Sequence, residues 1–287
     1  MLKKLIDKYR NADVIFRATL WFAAVTILNK GVALLTQPLI NRILTIEEVG
    51  VVSLYTTWSS IFSIIATFNL FCGVLEVQLT NNKQDKDQVV GSLSFLSLAI
   101  SAIFFGLVAI FITPISEFLT LKPTYIFIMA IMIVSQALFQ FWCVPKCFDY
   151  SYKIYAAVVV GVFFCQSVLT VAFAWLFVDD RVLGRVLGLC IPEAIAAIVI
   201  LFNIIRKTSF KYITKYWKCG IIFNLPLIPH YLSSLILASS DRIMIQKFTD
   251  ETSVGLYSVA YSYSSLALIV LAAIGKAYTP FALEKIK

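Results

Sequence analysis

The sequence predicts an all-α polytopic membrane protein, and composition gives the first reason. Hydrophobic residues make up 60% of the 287 residues and charged residues 14%, against about 45–50% and 25% in soluble domains. The apolar residues also lie in long continuous runs, each near the roughly 20 residues that a helix needs to cross a bilayer. A β-barrel would instead show short segments of alternating polarity.

We predict about eight transmembrane helices. The expected spans are residues 18–40, 49–73, 89–112, 123–144, 154–177, 182–205, 219–240 and 253–275. Turn-forming residues separate them, as in the Asn-Asn-Lys sequence at 81–83 and the Asp-Asp-Arg sequence at 179–181. The basic segment before the first span is not followed by a clear signal-peptide cleavage site, so we interpret it as a cytoplasmic leader.

The distribution of lysine and arginine predicts the orientation. If the spans alternate, seventeen basic residues lie on the side of the N-terminus, five on the opposite side and two within spans. Basic residues collect in cytoplasmic loops, so both termini are expected in the cytoplasm. The net charge of +8 is then explained by membrane topology, and nucleic-acid binding is not expected. Because the loops are too short to fold as a catalytic domain, any function is expected within the membrane.

Two segments of the chain resemble each other and indicate a parallel repeat. Each has a threonine, an acidic stretch and then Val-Gly at the start of a span, and Gly50 and Gly255 are 205 residues apart. Six spans separate them, an even number, so both copies have the same orientation; chance similarity is the alternative. The repeat predicts a basic leader at 1–17, a first six-helix lobe at 18–205, a basic linker at 206–218 and the first two helices of an incomplete second lobe at 219–287.

Polar side chains within the first span mark a candidate site, because ionisable groups are costly at membrane depth. Lys30 lies near the middle of this span, with Asn29 and Gln37 on the same polar stripe. A polar face does not point at lipid, so we interpret it as the wall of a cavity. The alternative is a lysine buried against a carboxylate. Arg185, near the outer end of the sixth span, lines the same cavity or extends to the interface.

Two titratable groups are candidates for binding a coupling ion. Glu193 follows a proline in the middle of the sixth span, and a carboxylate beside a kink suits a proton or cation site; neutralisation of Lys30 is equally compatible. His230 follows two prolines in the seventh span, which predict a broken helix. Imidazole titrates near neutral pH, so a coupling or substrate-binding role stands beside a packing role.

The remaining polar features have simpler interpretations. Asp241 and Arg242, at the outer end of the seventh span, form an interfacial ion pair or a gate. Hydroxyl stripes in the second span, with Thr56 and Ser60, and in the eighth span, with Ser258 and Ser262, indicate helix packing or a wet pathway. The six cysteines and the single histidine have no metal-ligand spacing, and no nucleotide-binding or nucleophile motif occurs, so no metal or cofactor is expected.

Several motifs together resemble one family of membrane proteins. They are Asn-Leu-Pro-Leu-Ile-Pro-His-Tyr at 224–231, Ser-Asp-Arg-Ile-Met-Ile at 240–245, Val-Gly-Leu-Tyr-Ser at 254–258 and, in the first unit, Asn-Lys-Gly at 29–31 and Val-Gly at 49–50. The chain resembles the polysaccharide-repeat flippases of bacterial O-antigen and capsule assembly, in the multidrug/oligosaccharidyl-lipid/polysaccharide exporter superfamily.

The resemblance implies a V-shaped bundle of two six-helix lobes, with Lys30 and His230 on the wall of a central cavity. It implies a transporter and not an enzyme, which moves an oligosaccharide on undecaprenyl pyrophosphate across the bacterial inner membrane by alternating access. Lys30 and Arg185 would supply cations for the pyrophosphate. The implied partners are this lipid-linked oligosaccharide, membrane lipids and polysaccharide polymerase or chain-length proteins.

Three alternatives are set against this interpretation. A cation-coupled multidrug extruder of the same fold should carry several acidic residues inside the first lobe, where only Glu193 qualifies. A membrane polymerase or glycosyltransferase should carry sizeable outer loops, which are absent from this sequence. An inactive truncated remnant is the third alternative, because family members have about four further C-terminal helices.

Overall fold

The computed structural model describes residues 14–208 and 214–264. Within these ranges the chain forms helices and connecting segments, with no strand. Seven helical stretches in this part are long and apolar enough to cross a membrane, which confirms the prediction of an all-α polytopic membrane protein. Most of the predicted leader, the middle of the linker and the second half of the predicted eighth span lie outside the described residues.

The helices follow the predicted spans, with short helices between them. They are α1 (Val14–Ile43), α2 (Ile46–Thr67), α3 (Val74–Asn81), α4 (Lys86–Ile110), α5 (Ile112–Leu119), α6 (Pro123–Phe148), α7 (Tyr152–Leu176), α8 (Arg181–Lys207), α9 (Trp217–Asn224), α10 (Ile228–Phe248) and α11 (251–264). The seventh span comprises α9 and α10 together. We call the end of the bundle with the lysine-rich loops the basic end, and the opposite end the outer end, after the orientation expected from the sequence.

The repeated Thr-acidic motif has a local structural role at the start of α2 and α11. Thr45 and Glu48 form a capping box, in which Thr45 Oγ1 accepts from the Glu48 amide at 3.2 Å and Glu48 accepts from the Thr45 amide at 2.7 Å. In the second copy Asp250 accepts from the Ser253 amide at 2.8 Å, and hydrogen bonding to Ser253 lowers the pKa of Asp250. The motif therefore satisfies helix N-termini in both copies.

The two prolines of the seventh span interrupt it as expected. A turn of 3-10 helix at Leu225–Leu227 separates α9 from α10. Asn224, fully buried at this break, donates to the carbonyl oxygens of Phe68 and Asn69 at 2.8 and 2.9 Å. These two residues follow α2 and have positive φ. The break thus binds the seventh span to the basic end of α2.

Close backbone contact holds α7 and α8 together. A Cβ on Gly184 would lie 2.4 Å from the Phe173 carbonyl oxygen, and one on Gly188 would lie 2.5 Å from Thr170 Cα. Such approach is possible only without side chains, as in the small-xxx-small pairs of membrane helices. The pair consequently fixes the orientation of α8, which carries Arg185 and Glu193.

Asp180, the N-cap of α8, lies in a polar cluster at the outer end. Its carboxylate accepts from the Leu183 amide at 3.0 Å, from Lys122 Nζ at 2.8 Å and from the Tyr125 hydroxyl at 2.7 Å. Burial by itself would raise the pKa of Asp180, but the bonds from Lys122, Tyr125 and Leu183 together hold it below its usual value. The cluster therefore stabilises the ionised carboxylate.

We expect Asp180→Asn to lower the free energy of unfolding at about pH 7, by at most about 1 kcal/mol for a partly exposed ion pair. A carboxyl with a depressed folded-state pKa stabilises above its unfolded pKa, and this contribution is lost as the pH falls through the folded value. The difference between variant and wild type should therefore shrink towards about pH 3. Thermal unfolding of the purified protein across this pH range measures the difference. Because asparagine also caps helices, the substitution removes the charge and keeps the cap. A difference that does not change with pH would therefore contradict the prediction.

Candidate functional site

A cavity of about 270 Å³ lies toward the outer end, between α1, α2, α8, α10 and α11. We call it the arginine cavity, because two arginines are the only charged groups among the described residues that line it. Among the described residues no carboxylate lines it, and most of the other lining groups are hydroxyls. The wall comprises Gln37, Val49, Val52, Ser53, Thr56, Thr57, Ser60, Arg185, Ser239, Arg242, Ser258 and Ser262.

Arg185 extends from α8 into this cavity and keeps unused hydrogen-bond donors. Its Nη2 donates to Gln37 Oε1 at 3.4 Å, while Nε and Nη1 are buried with no partner among the described residues. Nearby, Arg181 donates to the Ile43 carbonyl oxygen at 2.7 Å and ties α8 to the end of α1. A buried donor without a partner is costly. Arg185 therefore keeps two N–H groups that could donate to an anion in the cavity.

Arg242 reaches the cavity from α10. Its guanidinium lies 4.8 Å from the centre of the Tyr261 ring, and its Nε is buried without a partner in the described structure. The neighbouring Asp241 accepts from the Tyr257 hydroxyl at 2.5 Å. Asp241 and Arg242 make no ion pair with each other in this part of the chain; instead, each binds a tyrosine of α11. Asp241 and Arg242 thus fix α10 against α11 through these two tyrosines.

The outer side of the arginine cavity is bounded by a contact between α2 and α11 through two glycines. A Cβ on Gly50 would lie 2.0 Å from the Glu251 carbonyl oxygen, and one on Gly255 would lie 2.0 Å from the Ile46 carbonyl oxygen. Each glycine therefore faces the backbone one turn earlier in the other helix. Only glycine permits this distance at either position.

The same contact continues one turn deeper and is reciprocal. Ser53 Oγ donates to Ser258 Oγ at 2.7 Å. We call this contact the outer crossing. The residues that take part in it form three pairs of repeat equivalents, each 205 positions apart. These pairs are Ile46 and Glu251, Gly50 and Gly255, and Ser53 and Ser258. Two parallel copies related by a two-fold axis would meet in this way, which supports the repeat, while the boundaries of the lobes stay a prediction.

Lys30 and Asn29 do not line the arginine cavity. Lys30 is exposed and makes no ion pair among the described residues. It precedes Gln37 by seven residues, which places it on the same face of α1 about 10 Å toward the basic end. Asn29 is half-buried on the side that packs against α7, seven residues after Phe22, whose ring meets Tyr155 edge-on at 5.0 Å.

Glu193 and His230 also lie away from this cavity. Glu193 is half-buried between α7 and α8, where it accepts from Gln166 Nε2 at 3.3 Å, and Gln166 also donates to the Leu189 carbonyl oxygen at 3.0 Å. It therefore does not neutralise Lys30. His230 is exposed near the start of α10, with its ring 6.0 Å from that of Tyr231. The structure brings together Gln37, Arg185 and Arg242 of the predicted site residues, and not these two.

Sequence reasoning did not single out Ser53 and Ser239 in the wall of the cavity. Ser53 had a usable signal, because it is the repeat equivalent of Ser258 at the offset of 205. Ser239 had none, since one serine in an apolar helix is ordinary. No cluster of histidine, cysteine or carboxylate side chains suited to a metal occurs in residues 14–208 and 214–264.

Comparison with known proteins gives the family. Residues 15–283 match the family described as polysaccharide biosynthesis protein. A protein of Haemophilus influenzae named for the Lsg locus is 26% identical over 279 residues, which cover 95% of this chain and 67% of that protein. No solved structure matches the chain. The match covers nearly the whole multi-pass membrane fold and gives the chain a role in polysaccharide synthesis or export. The chain belongs to the polysaccharide biosynthesis protein family.

Proposed function

We propose that the chain flips lipid-linked oligosaccharide units, carried on undecaprenyl pyrophosphate, across the bacterial inner membrane by alternating access. In this proposal it is a transporter and not an enzyme, with both termini in the cytoplasm. One observation carries it: the arginine cavity holds the buried, unpaired guanidinium donors of Arg185 and Arg242 and is lined by no carboxylate among the described residues.

The chemistry of the arginine cavity suits a pyrophosphate. Guanidinium groups bind phosphate oxygens through two parallel hydrogen bonds, and such charge-assisted bonds are about twice as strong as neutral ones. Ser239, which also lines the cavity, adds a neutral hydroxyl donor beside Arg185 and Arg242. At about 270 Å³ the cavity is smaller than a site for a drug-sized molecule. It therefore fits the head group, and the sugar would lie elsewhere along the path.

The polar face of α1 extends this path toward the basic end. Gln37 lines the arginine cavity, and Lys30 lies two helical turns away on the same face. A cation at this position would attract the pyrophosphate before it reaches Arg185. Membrane lipids and polysaccharide polymerase or chain-length proteins are the further partners of this proposal.

A cation-coupled drug extruder of the same fold is the second candidate function. It is favoured by Glu193, a half-buried carboxylate inside the first lobe that hydrogen-bonds to Gln166. The two arginines of the cavity favour an anionic substrate instead, because a cationic drug would be repelled from them.

We expect Arg185→Gln to lower surface polysaccharide at least about tenfold, since bonds to a charged group contribute about 1.5–3 kcal/mol, while Arg185→Lys keeps an intermediate level. Export is measured in a strain deleted for its own flippase and complemented with this chain, at equal protein abundance. Arg206→Gln is the matched control, because Arg206 is on the same helix but stacks on Phe202 at 4.0 Å. The thermal stability of Arg185→Gln should equal or exceed that of wild type, because the charge removed has no carboxylate partner among the described residues.

Export by Arg185→Gln at the wild-type level would exclude the proposed pyrophosphate site. Failure of the wild-type chain to restore any export, with the protein present in the membrane, would instead favour an inactive remnant. Extrusion of cationic dyes that is lost in Glu193→Gln would favour the second candidate.

A further inference from the structure

A second and larger cavity lies at the basic end of the first lobe. Its volume is about 640 Å³, and it opens between the start of α4 and the last turns of α6 and α8. We call it the basic pocket. Its inner wall is apolar and includes Phe141, Trp142, Ile200 and Ile204, and its rim is charged. It shares no lining residue with the arginine cavity.

The rim carries four lysines, two of which have no carboxylate partner in the part of the chain that the structure describes. The three rim aspartates are neutralised by ion pairs: Asp149 with Lys86, Asp87 with Lys207 at 3.5 Å and Asp85 with Lys215 at 3.7 Å. Lys83 and Lys146 make no ion pair within the described ranges. Lys146 lies over the Trp142 ring at 6.0 Å from its centre. The basic pocket therefore presents two uncompensated positive charges above an apolar wall.

The basic pocket is continuous with an apolar surface on α8. Phe202, Val199 and Ile195 are exposed at successive turns of this helix, which gives the spacing of a single face. Asn203, next to Phe202 in the chain, lines the pocket. Tryptophan is typical of the boundary between lipid and water, and Trp142 lies where the apolar wall meets the charged rim. A molecule in this pocket can thus extend an apolar tail along α8.

We propose that the basic pocket binds the head group of an anionic glycerophospholipid, with its phosphate at Lys83 and Lys146 and its acyl chains along the exposed face of α8. Basic pockets between transmembrane helices at the cytoplasmic side bind anionic lipid head groups. A zwitterionic lipid lacks the net negative charge that the two lysines complement. The inference goes beyond the proposed function, because it holds whatever the arginine cavity carries.

The test measures lipid binding by the purified 287-residue chain. Delipidated protein is titrated with phosphatidylglycerol or phosphatidylcholine, and bound lipid is counted by native mass spectrometry. We expect wild type to retain phosphatidylglycerol selectively and Lys83→Gln/Lys146→Gln to bind it about 30-fold more weakly, since each lysine near an anionic surface contributes about a factor of five. The control Lys153→Gln/Lys218→Gln removes two exposed lysines outside the pocket and should bind like wild type.

Three results would overturn the proposal. Equal retention of both lipids would show that negative charge is not recognised. Equal weakening in the control variant would show that overall charge, and not the basic pocket, determines binding. Displacement of phosphatidylglycerol by millimolar inorganic phosphate would assign the pocket to a free anion. Each single variant, Lys83→Gln or Lys146→Gln, should lose about fivefold, so the comparison stands even if the double variant unfolds.

Discussion

Replacement of Gly50 by leucine is expected to abolish export of surface polysaccharide, while Gly106→Leu leaves export intact. A Cβ on Gly50 would lie 2.0 Å from the Glu251 carbonyl oxygen, and nothing lies within 4 Å of a Cβ on Gly106. To reach the 3.4 Å of an ordinary contact, α2 and α11 must move apart by about 1.4 Å. The outer crossing therefore cannot form as it does in the wild type.

The reason for the complete loss is that the outer crossing bounds the arginine cavity. Alternating access requires a state in which the path is closed on one side. In this structure α2 and α11 meet between the cavity and the outer end, and Gln246 of α10 also donates to Thr120 Oγ1 at 2.8 Å. Without the glycine contact, the state that closes the proposed transport path toward the outside is destabilised. Gly255→Leu should behave in the same way, because the contact is reciprocal.

A reversible cross-link tests the same contact in the opposite sense. The Ser53 and Ser258 hydroxyl oxygens lie 2.7 Å apart, close to the roughly 2 Å of a disulfide bond. Ser53→Cys/Ser258→Cys should lose export when oxidised and regain it with a reductant, while either single cysteine variant exports normally. Full export by the oxidised double variant would show that the outer crossing does not have to open. Full export by Gly50→Leu at normal abundance would show that it does not have to close.

The fold was largely predictable from the sequence, because span length and apolar continuity are local properties. Most ends of the seven described spans lie within four residues of those predicted, but the second span ends six residues earlier, at Thr67, and the seventh eight residues later, at Phe248. The short helices α3 and α5 were not predicted: at 8 residues each they are below the length needed to span, and they depend on packing against neighbouring helices. The 3-10 break was predictable because proline removes a backbone donor wherever it occurs.

The site was predictable only in part, because a periodic pattern gives the face of a helix but not its neighbours. The polar stripe of α1 identified the helix face that carries Gln37. Lys30 is on the same face, yet it lies closer to the basic end than the arginine cavity does. For Arg185 the sequence left the cavity wall and the membrane interface as alternatives, because it does not show that Gln37 of α1 lies beside the Arg185 guanidinium. The repeat made Gly50 and Gly255 equivalent, but it does not show that α2 and α11 pack against each other at these two positions.

The second large effect is expected at Gly188, where leucine should prevent α7 and α8 from packing. Gly184 and Gly188 are spaced as in the small-xxx-small motif of membrane helices, and a Cβ on Gly188 would lie 2.5 Å from the Thr170 backbone. A backbone cannot relax as a flexible side chain can. Overpacking in well-packed interiors already costs about 1–3 kcal/mol, and a leucine against backbone should reach at least the upper end of this range.

We therefore expect Gly188→Leu to give little monodisperse protein in size-exclusion chromatography and a much lower unfolding temperature, with Gly188→Ala intermediate. Gly161→Leu on α7 is the control, because a Cβ there meets nothing within 4 Å and leucine favours a helix over glycine. Equal stability of the two leucine variants would mean that α7 and α8 pack differently. Arg185 follows Gly184 directly, so the glycines that hold α8 also set the position of its guanidinium. A variant that loosens this pair should consequently lose stability and export together, whereas Arg185→Gln should lose export alone.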